Sequence, residues 1–215
     1  MERSQILESA GVPHVCDPAE IDERELKDRM AKQGADVETT TASLAQAKAE
    51  EVQKRHVQAL VIGADQILEY EGRRFEKPQD QDDAAETLRT LCGCTHRLIS
   101  AVVVHQGEEC IWRHLETASL TMREFSDAFL ERYIDDAGPG ILESVGAYRL
   151  EQTGAQLFTR IEGDYFTVLG LPLLPLLGFY GKRVHSENRA IGATAGCPIF
   201  KITTTAFPER GFKKP

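Results

Sequence analysis

One carboxylate stands out because of its place in the sequence. Asp65 and Gln66 follow an uninterrupted apolar segment, residues 59–62, and a Gly-Ala pair. Such a run predicts a strand that is covered on both faces. An acid at the end of a core strand is costly unless water, a cation or a donor satisfies it, and ligands of open α/β sheets bind at this position. We therefore predict that the strand carries Asp65 to the edge of a ligand site.

Other charged residues suit the same chemistry. Arg3, Lys48 and Lys77 supply cations, and Glu23 supplies a second acid at the close of an extended segment. Carboxylates that hold a divalent cation, beside cations that neutralise phosphate oxygens, are the composition that phosphoryl chemistry requires. Each residue also has an ordinary alternative. A lysine among alanines is usually a surface residue with a buried stem, and an aspartate after a strand is usually a turn or helix cap.

Several other kinds of chemistry lack their motifs. The chain contains no Walker loop, no G-x-G-x-x-G and no G-x-S-x-G. The six histidines show neither H-E-x-x-H nor close ligand spacing, and we interpret them as surface or strand residues. The five cysteines have no paired C-x-x-C spacing, which predicts reduced thiols and argues against a structural zinc.

Composition limits the class of protein. A chain of 215 residues, 41% hydrophobic and 27% charged, is typical of one soluble domain with a sizeable core. A net charge of −9 argues against a nucleic-acid polymer as the main partner, although a pocket for a single nucleotide remains compatible with it. No run reaches the roughly 18 apolar residues of a membrane helix. The charged start lacks the apolar block of a signal peptide, and we predict a cytoplasmic protein.

Helical and extended patterns alternate, which predicts an α/β domain. Helices are expected at residues 2–10, at 43–57, at 82–91 after an Asp80 cap, and between a Ser126 cap and Gly138. Extended segments are expected at residues 13–22 and 59–63, in a hairpin around Glu71 and Gly72, in two strands around Gly107, and in "GAYRLE" and "LFTRIEG". The run "DYFTVLGLPLLPLLGFY" predicts a final apolar helix or turn.

An ordered series of motifs resembles the Maf family of nucleoside triphosphate pyrophosphatases. The series is "ERSQILESAG", "IDE", "LAQAKA", "GADQ", "EKPQD", "GAY" and "LFTRIEGDYFTVLGLPL". The resemblance implies a Maf/ITPase-like α/β fold, with a long curved mixed sheet flanked by helices and two lobes around a nucleotide cleft. It also implies a homodimer, and a reaction that uses Mg²⁺ or Mn²⁺ to split a nucleoside triphosphate into the monophosphate and pyrophosphate.

The resemblance also implies roles for individual residues. Asp65 matches the acid that orients or deprotonates the attacking water and meets the metal, and Glu23 matches a second carboxylate on the metal side. The phosphate-binding cations of the family match Arg3, Lys48 and Lys77, and Gln66 matches the neighbour of the catalytic acid. We accordingly expect Asp65, Glu23, Lys48 and Lys77 to be catalytic.

Glu151 departs from one major branch of the family. That branch, which favours thymidine and uridine nucleotides, has glutamine at this position of "GAYRLEQTG". A carboxylate accepts the two N–H groups of guanine's Watson–Crick edge and attracts a cationic methylated base. We therefore expect Glu151 to bind the base of a substrate such as 7-methyl-GTP. The alternative is a Glu151 ion pair on a strand.

The two ends of the chain also depart from the family pattern. The resemblance predicts an apolar strand and a Ser-x-Ser-x-x-Arg turn before the first helix, and only Arg3 and that helix match it. A missing strand would leave an exposed sheet edge. We assign residues 1–178 to the Maf-like domain and 179–215 to an irregular C-terminal extension. Within that extension "IFKITTTAF" has strand propensity, and we expect it to join a sheet edge.

Two functions follow from these observations. The first is a metal-dependent nucleoside triphosphate pyrophosphatase, and it rests on the retained acids and lysines. The second is a catalytically impaired, Maf-like nucleotide-binding protein that regulates septum formation in cell division, and it rests on the unmatched serine turn. Pyrophosphate release distinguishes the two.

Overall fold

The chain folds around one mixed sheet. The structure, a computed structural model, describes residues 3–191 and 200–205. Their seven strands are β1 (His14–Ala19), β2 (Leu60–Tyr70), β3 (Arg73–Phe75), β4 (Thr95–Gln106), β5 (Glu109–Met122), β6 (Phe158–Glu162) and β7 (Phe200–Thr205). The strand order is β1-β7-β2-β4-β5-β6, and β3 pairs with β2.

Helices flank this sheet. They are α1 (Arg3–Ser9), α2 (Glu23–Lys32), α3 (Val37–Arg55), α4 (Gln81–Leu91), α5 (Asp127–Ala137), α6 (Tyr165–Val168) and α7 (Leu173–Ile191), with 3₁₀ turns at Gly138–Glu143 and Thr153–Leu157. The prediction of an α/β fold with a mixed sheet and flanking helices is therefore confirmed. No helix among the residues placed by the structure is long and apolar enough to cross a membrane.

Strand β2 is the axis of the sheet. One side pairs with β4 in antiparallel register from Leu60 to Glu69. The other side pairs with β7 only over Leu60–Ile62 and with β3 only over Leu68–Tyr70. Within the described ranges, residues 63–67 therefore have no strand partner on that side. The prediction that β2 ends before Asp65 is wrong: β2 continues to Tyr70, and it is the pairing with β7 that ends.

The two faces of the sheet carry separate apolar cores. On one face, small residues of α3 pack against odd-numbered residues of β2 and β4, such as Val61 and Ala101. On the other face lie two clusters. One joins α1 and α7 to Ile62 and Val102, and the second joins α4 and α5 to Leu68. The candidate site lies at the level of the open edge of β2 and includes residues from both faces of the sheet.

Local signals in the sequence predicted most helix ends. Asp80 caps α4 by accepting a bond from the amide of Asp83, and Ser126 caps α5 through the amide of Phe129. Helix α3 begins at Val37, earlier than expected, because Asp36 caps it through the amide of Thr39.

Three segments differ from the sequence predictions. Helix α2 was not predicted, and it has no buried residue that could have produced an apolar period. The segment "GAYRLE" forms turns rather than a strand, since Ala147 adopts a positive φ of 57°. Beyond residue 178, α7 continues to Ile191, where we expected irregular structure.

Strand β7 lies inside the sheet, between β1 and β2 and parallel to both. The prediction of a strand in "IFKITTTAF" is thus confirmed for residues 200–205, whereas its expected position at an edge is wrong. The division of the chain at residue 178 stays a prediction.

Gly63 permits the close contact between α3 and β2 that positions the site. A Cβ atom at Gly63 would lie 2.2 Å from the carbonyl oxygen of Ala45 and 2.7 Å from the Cβ of Ala49. We expect Gly63→Ala to lower the free energy of unfolding by about 2 to 3 kcal/mol through overpacking. Urea denaturation measures this change.

Gly178→Ala is the matched control. Gly178 lies in α7, and a Cβ there would meet nothing within 4 Å. Because alanine favours the helix, this variant is expected to keep or raise stability by up to about 1 kcal/mol. Equal effects of the two substitutions would contradict the close helix–strand contact.

Candidate functional site

A cavity of about 640 Å³ opens beside the unpaired segment of β2. Its wall includes every residue that the sequence singled out for chemistry: Arg3, Glu23, Lys48, Asp65, Gln66, Lys77 and Glu151. These residues come from six separate parts of the chain, so the fold brings together groups that are distant in sequence.

Lys48 joins the two acids of the cavity. Its Nζ lies 2.6 Å from Oδ1 of Asp65 and 2.9 Å from Oε1 of Glu23. The side chains of Lys48 and Asp65 are 4% and 8% exposed, while Glu23 is 29% exposed. A buried ammonium is costly unless it is paired, and here two carboxylates share it. Lys48 is therefore not the surface lysine of the ordinary alternative, and Asp65 is neither a turn residue nor a helix cap.

Three elements hold these groups in place. Asp65 lies on the face of β2 that packs against α3, because it has the same parity as Val61 and Gly63. Lys48 lies on α3, which approaches β2 closely at Gly63. Glu23 is the first residue of α2, whose N-cap is Asp22. The sequence placed Asp22 and Glu23 at the end of an extended segment, and the structure places them at a helix start.

The electrostatics of the cavity follow from this clustering. Burial opposes ionisation of Glu23, but the charge and hydrogen bond of Lys48, aided by Lys27 and Arg3, lower its pKa overall. Burial also lowers the pKa of Lys77, and the positive charges of Arg3 and Lys48 lower it further. The carboxylates of Glu23 and Glu143 offset part of this repulsion between cations, and binding of a polyphosphate would relieve more of it.

Gln66 faces the opposite side of β2 from Asp65. Its Nε2 donates to Ser100 Oγ at 2.9 Å and to the carbonyl of Thr167 at 3.0 Å. Ser100 in turn donates to the same carbonyl at 2.9 Å. Arg3 donates from Nε to the carbonyl of Gly170 at 2.8 Å. Gln66 thus ties α6 to the sheet between the two apolar clusters, which supports the wall on which Arg3 lies.

The end of the cavity that contains Glu151 is built from turns. Glu151 is half-buried and follows Tyr148, Arg149 and Leu150, which also line the cavity. Tyr148 is buried, and its Oη lies 2.7 Å from Nε2 of His96. Burial lowers the pKa of His96 to about 4, so this histidine is neutral near pH 7. Because "GAYRLE" is not a strand, the strand context of the alternative interpretation is wrong, whereas both the base-binding role and the ion pair of Glu151 stay predictions.

The two acids fit one mode of metal binding. No group of three or more His, Cys, Asp or Glu ligands exists among the residues with described positions. However, oxygens of Glu23 and Asp65 both lie within 2.9 Å of the same Lys48 nitrogen, so the two carboxylates converge. Mg²⁺ is commonly held by one or two carboxylates together with substrate phosphates. The residues present suit such a shared site and no metal site of protein ligands alone.

Some cavity residues were not predicted. They are chiefly the Lys27–Glu76 ion pair, Tyr148, Arg149 and Thr203. Of these, only the proximity of Glu76 to Lys77 in the sequence offered a signal. Thr203 reaches the cavity through the pairing of β7 with β1 and β2, which no local pattern encodes.

Removing the shared cation tests the charge cluster. We expect Lys48→Met to lower the free energy of unfolding by about 3 kcal/mol at pH 7, because it leaves Asp65 buried without its partner. Glu23 has a lowered pKa in the folded state, so its contribution is present above its ordinary pKa and is lost as the pH falls. The difference in the free energy of unfolding between wild type and Lys48→Met should therefore become smaller below about pH 4.5.

Lys27→Met is the control for this comparison. Lys27 pairs with Glu76, which is 69% exposed. Exposed pairs contribute about 1 kcal/mol or less, and we expect a change of that size. Thermal or urea unfolding across the pH range measures both variants, and equal losses would contradict a special role of Lys48.

Comparison with known proteins identifies the family of the chain. The sequence profile of the family described as Maf-like protein matches residues 1–182. The chain is 49% identical over 176 residues to a 7-methyl-GTP pyrophosphatase of Rhizobium etli, covering 82% of this chain and 88% of the relative. It is 47% identical to a 7-methyl-GTP pyrophosphatase of Rhizobium meliloti, covering 89% and 92%. A nucleoside triphosphate pyrophosphatase of Granulibacter bethesdensis is 46% identical, with coverage of 82% and 90%. The chain therefore belongs to the Maf-like protein family.

Proposed function

We propose that this protein hydrolyses a nucleoside triphosphate to the monophosphate and pyrophosphate. The observation that carries the proposal is the buried Lys48 ammonium shared by Asp65 and Glu23 inside a cavity that Arg3 and Lys77 also line. Relatives at 46% to 49% identity carry names of this activity and support it.

The cations account for substrate binding. A triphosphate brings about four negative charges, which must be neutralised before a nucleophile can approach. Arg3, Lys48 and Lys77 supply three positive charges around one cavity, and the carboxylates of Asp65 and Glu23 supply two negative charges, so a bound metal ion would add to the neutralisation. The nucleoside would extend toward Tyr148 and Glu151, at the end of the cavity formed by turns.

Asp65 accounts for activation of water. Its carboxylate accepts a proton as the water oxygen bonds to phosphorus, and the bond between the α and β phosphates breaks with pyrophosphate as the leaving group. Lys48 fixes the orientation of this carboxylate through the contact at 2.6 Å. The open edge of β2 leaves space beside Asp65 for the reacting phosphate.

A divalent metal, Mg²⁺ or Mn²⁺, belongs to the same proposal. Asp65 and Glu23 would hold it together with phosphate oxygens of the substrate. When bound, it would neutralise phosphate charge and favour formation of hydroxide from water. A cytoplasmic location and a homodimer remain predictions beside this proposal.

The proposed substrate is 7-methyl-GTP or another modified guanine nucleotide. The relatives from the two Rhizobium species are named 7-methyl-GTP pyrophosphatases. Glu151, in the cavity wall, offers two acceptor oxygens for guanine N–H groups and a negative charge for the methylated, cationic ring.

Asp65→Asn tests the activity. We expect wild type to release pyrophosphate from a triphosphate in the presence of Mg²⁺ or Mn²⁺, and Asp65→Asn to reduce kcat/KM by about 100-fold or more. The control is Asp127→Asn, an exposed aspartate paired with Arg89, which should leave the rate unchanged. A folded wild type without turnover on any triphosphate would instead support the non-catalytic nucleotide-binding protein.

Glu151→Gln tests the choice of base. The variant should lower the ratio of kcat/KM for 7-methyl-GTP over UTP by about 10-fold, since the amide NH₂ opposes guanine N–H groups and the attraction to the cationic ring is lost. Both nucleotides are assayed with wild type and variant. An unchanged ratio would contradict base recognition by Glu151, whatever the absolute rates.

A further inference from the structure

Thr203, in β7, carries a hydroxyl that the apo fold does not use. The residue is 1% exposed, and its Oγ1 has no hydrogen-bond partner among the atoms that the structure describes. The side chain lines the same cavity as Asp65 and Lys48.

Such a hydroxyl is costly for the fold by itself. Burying an unpaired hydroxyl lowers stability by about 1 to 3 kcal/mol. Valine has the same shape and β-branching, and it would fill this strand position without that cost. A buried threonine in the wall of a cavity, with an oxygen that lacks a partner, is therefore suited to a partner that enters the cavity.

The register of β7 places this hydroxyl beside the open edge of β2. Ile202 pairs with Ile62, so Thr203 lies level with Gly63, where strand pairing on that side of β2 ends. Alternation along both strands puts Thr203 on the same face of the sheet as Gly63 and Asp65. On its other side Thr203 pairs in register with Asp17 of β1, whose carboxylate is already bonded to Arg55 and His56.

We propose that Thr203 is a substrate-binding residue whose hydroxyl donates a hydrogen bond to a phosphate oxygen of the triphosphate. The inference rests on the proposed function for the identity of the anion. Its chemistry is consistent with the cations Arg3, Lys48 and Lys77, which make this cavity a place for polyphosphate oxygens. The segment that contains β7 thereby contributes directly to the site, although more than a hundred residues separate it from Asp65.

Three variants test this role: Thr203→Val, Thr203→Ser and, as a control, Thr159→Val. Thr159 is an exposed strand threonine whose hydroxyl contacts the carbonyl of Thr121. We expect Thr203→Val to lower kcat/KM about 10- to 100-fold, the range for a hydrogen bond to a charged group. Thr203→Ser should keep activity within a few-fold, and Thr159→Val should not change it.

A measurement of stability distinguishes a binding role of Thr203 from a structural role. Because Thr203→Val removes an unpaired buried hydroxyl, its Tm should equal or exceed that of wild type while its activity falls. Wild-type activity in Thr203→Val would overturn the proposal, and so would a parallel loss of Tm and activity.

Titration calorimetry with inorganic pyrophosphate measures binding to the site without requiring turnover. A weaker affinity in Thr203→Val than in wild type and Thr159→Val supports the contact. Equal affinities, or no binding by wild type, overturn it. A wild type that binds pyrophosphate but hydrolyses no triphosphate would contradict the proposed function alone.

Discussion

The Lys48 ammonium ties together three parts of the chain that the rest of the site depends on. Its contacts of 2.6 Å and 2.9 Å join α3 to the middle of β2 and to the first turn of α2. The pairing requires α3 to lie close to the sheet, which only a glycine at position 63 allows. A single charge shared by two acids thus links helix to sheet and fixes the position of the Asp65 carboxylate, the proposed base.

The pairing of the strands explains why a ligand can reach that carboxylate. Between the segments of β2 that pair with β7 and with β3, residues 63–67 lack a described strand neighbour. An unpaired edge inside a sheet leaves backbone groups without partners, a feature that is costly in an ordinary core. Here it adjoins the cavity of about 640 Å³, and the helices on both faces keep the rest of the sheet covered.

The sequence predicted those features that depend on local chemistry. Asp80 and Ser126 were predicted as caps because a short polar side chain preceded an apolar helical period, and the hairpin at Glu71 and Gly72 followed from its turn residues. Helix α2 escaped prediction because it buries no residue, although Asp22 and Glu25 in capping positions were a usable signal. The turns around Ala147 replaced a predicted strand because its positive φ has no clear mark in the sequence.

The candidate site was predicted less completely from the sequence than the local structure was. Composition identified acids and cations suited to phosphate, but their convergence in one cavity came only from the family resemblance and the fold. Neither the composition nor the family resemblance identified Thr203, since its position depends on the pairing of β7 across the chain. Long-range strand pairing is the part of the structure that local patterns specify least.

Amide hydrogen exchange with and without the α,β-methylene analogue of GTP, in the presence of Mg²⁺, tests the central claim most directly. The claim is that the triphosphate lies along the open edge of β2, against the Lys48 cluster. The account predicts slower exchange in peptides that cover residues 60–70 and 200–205 when the analogue is bound. Unchanged exchange in both peptides, with protection elsewhere in the chain, would contradict it.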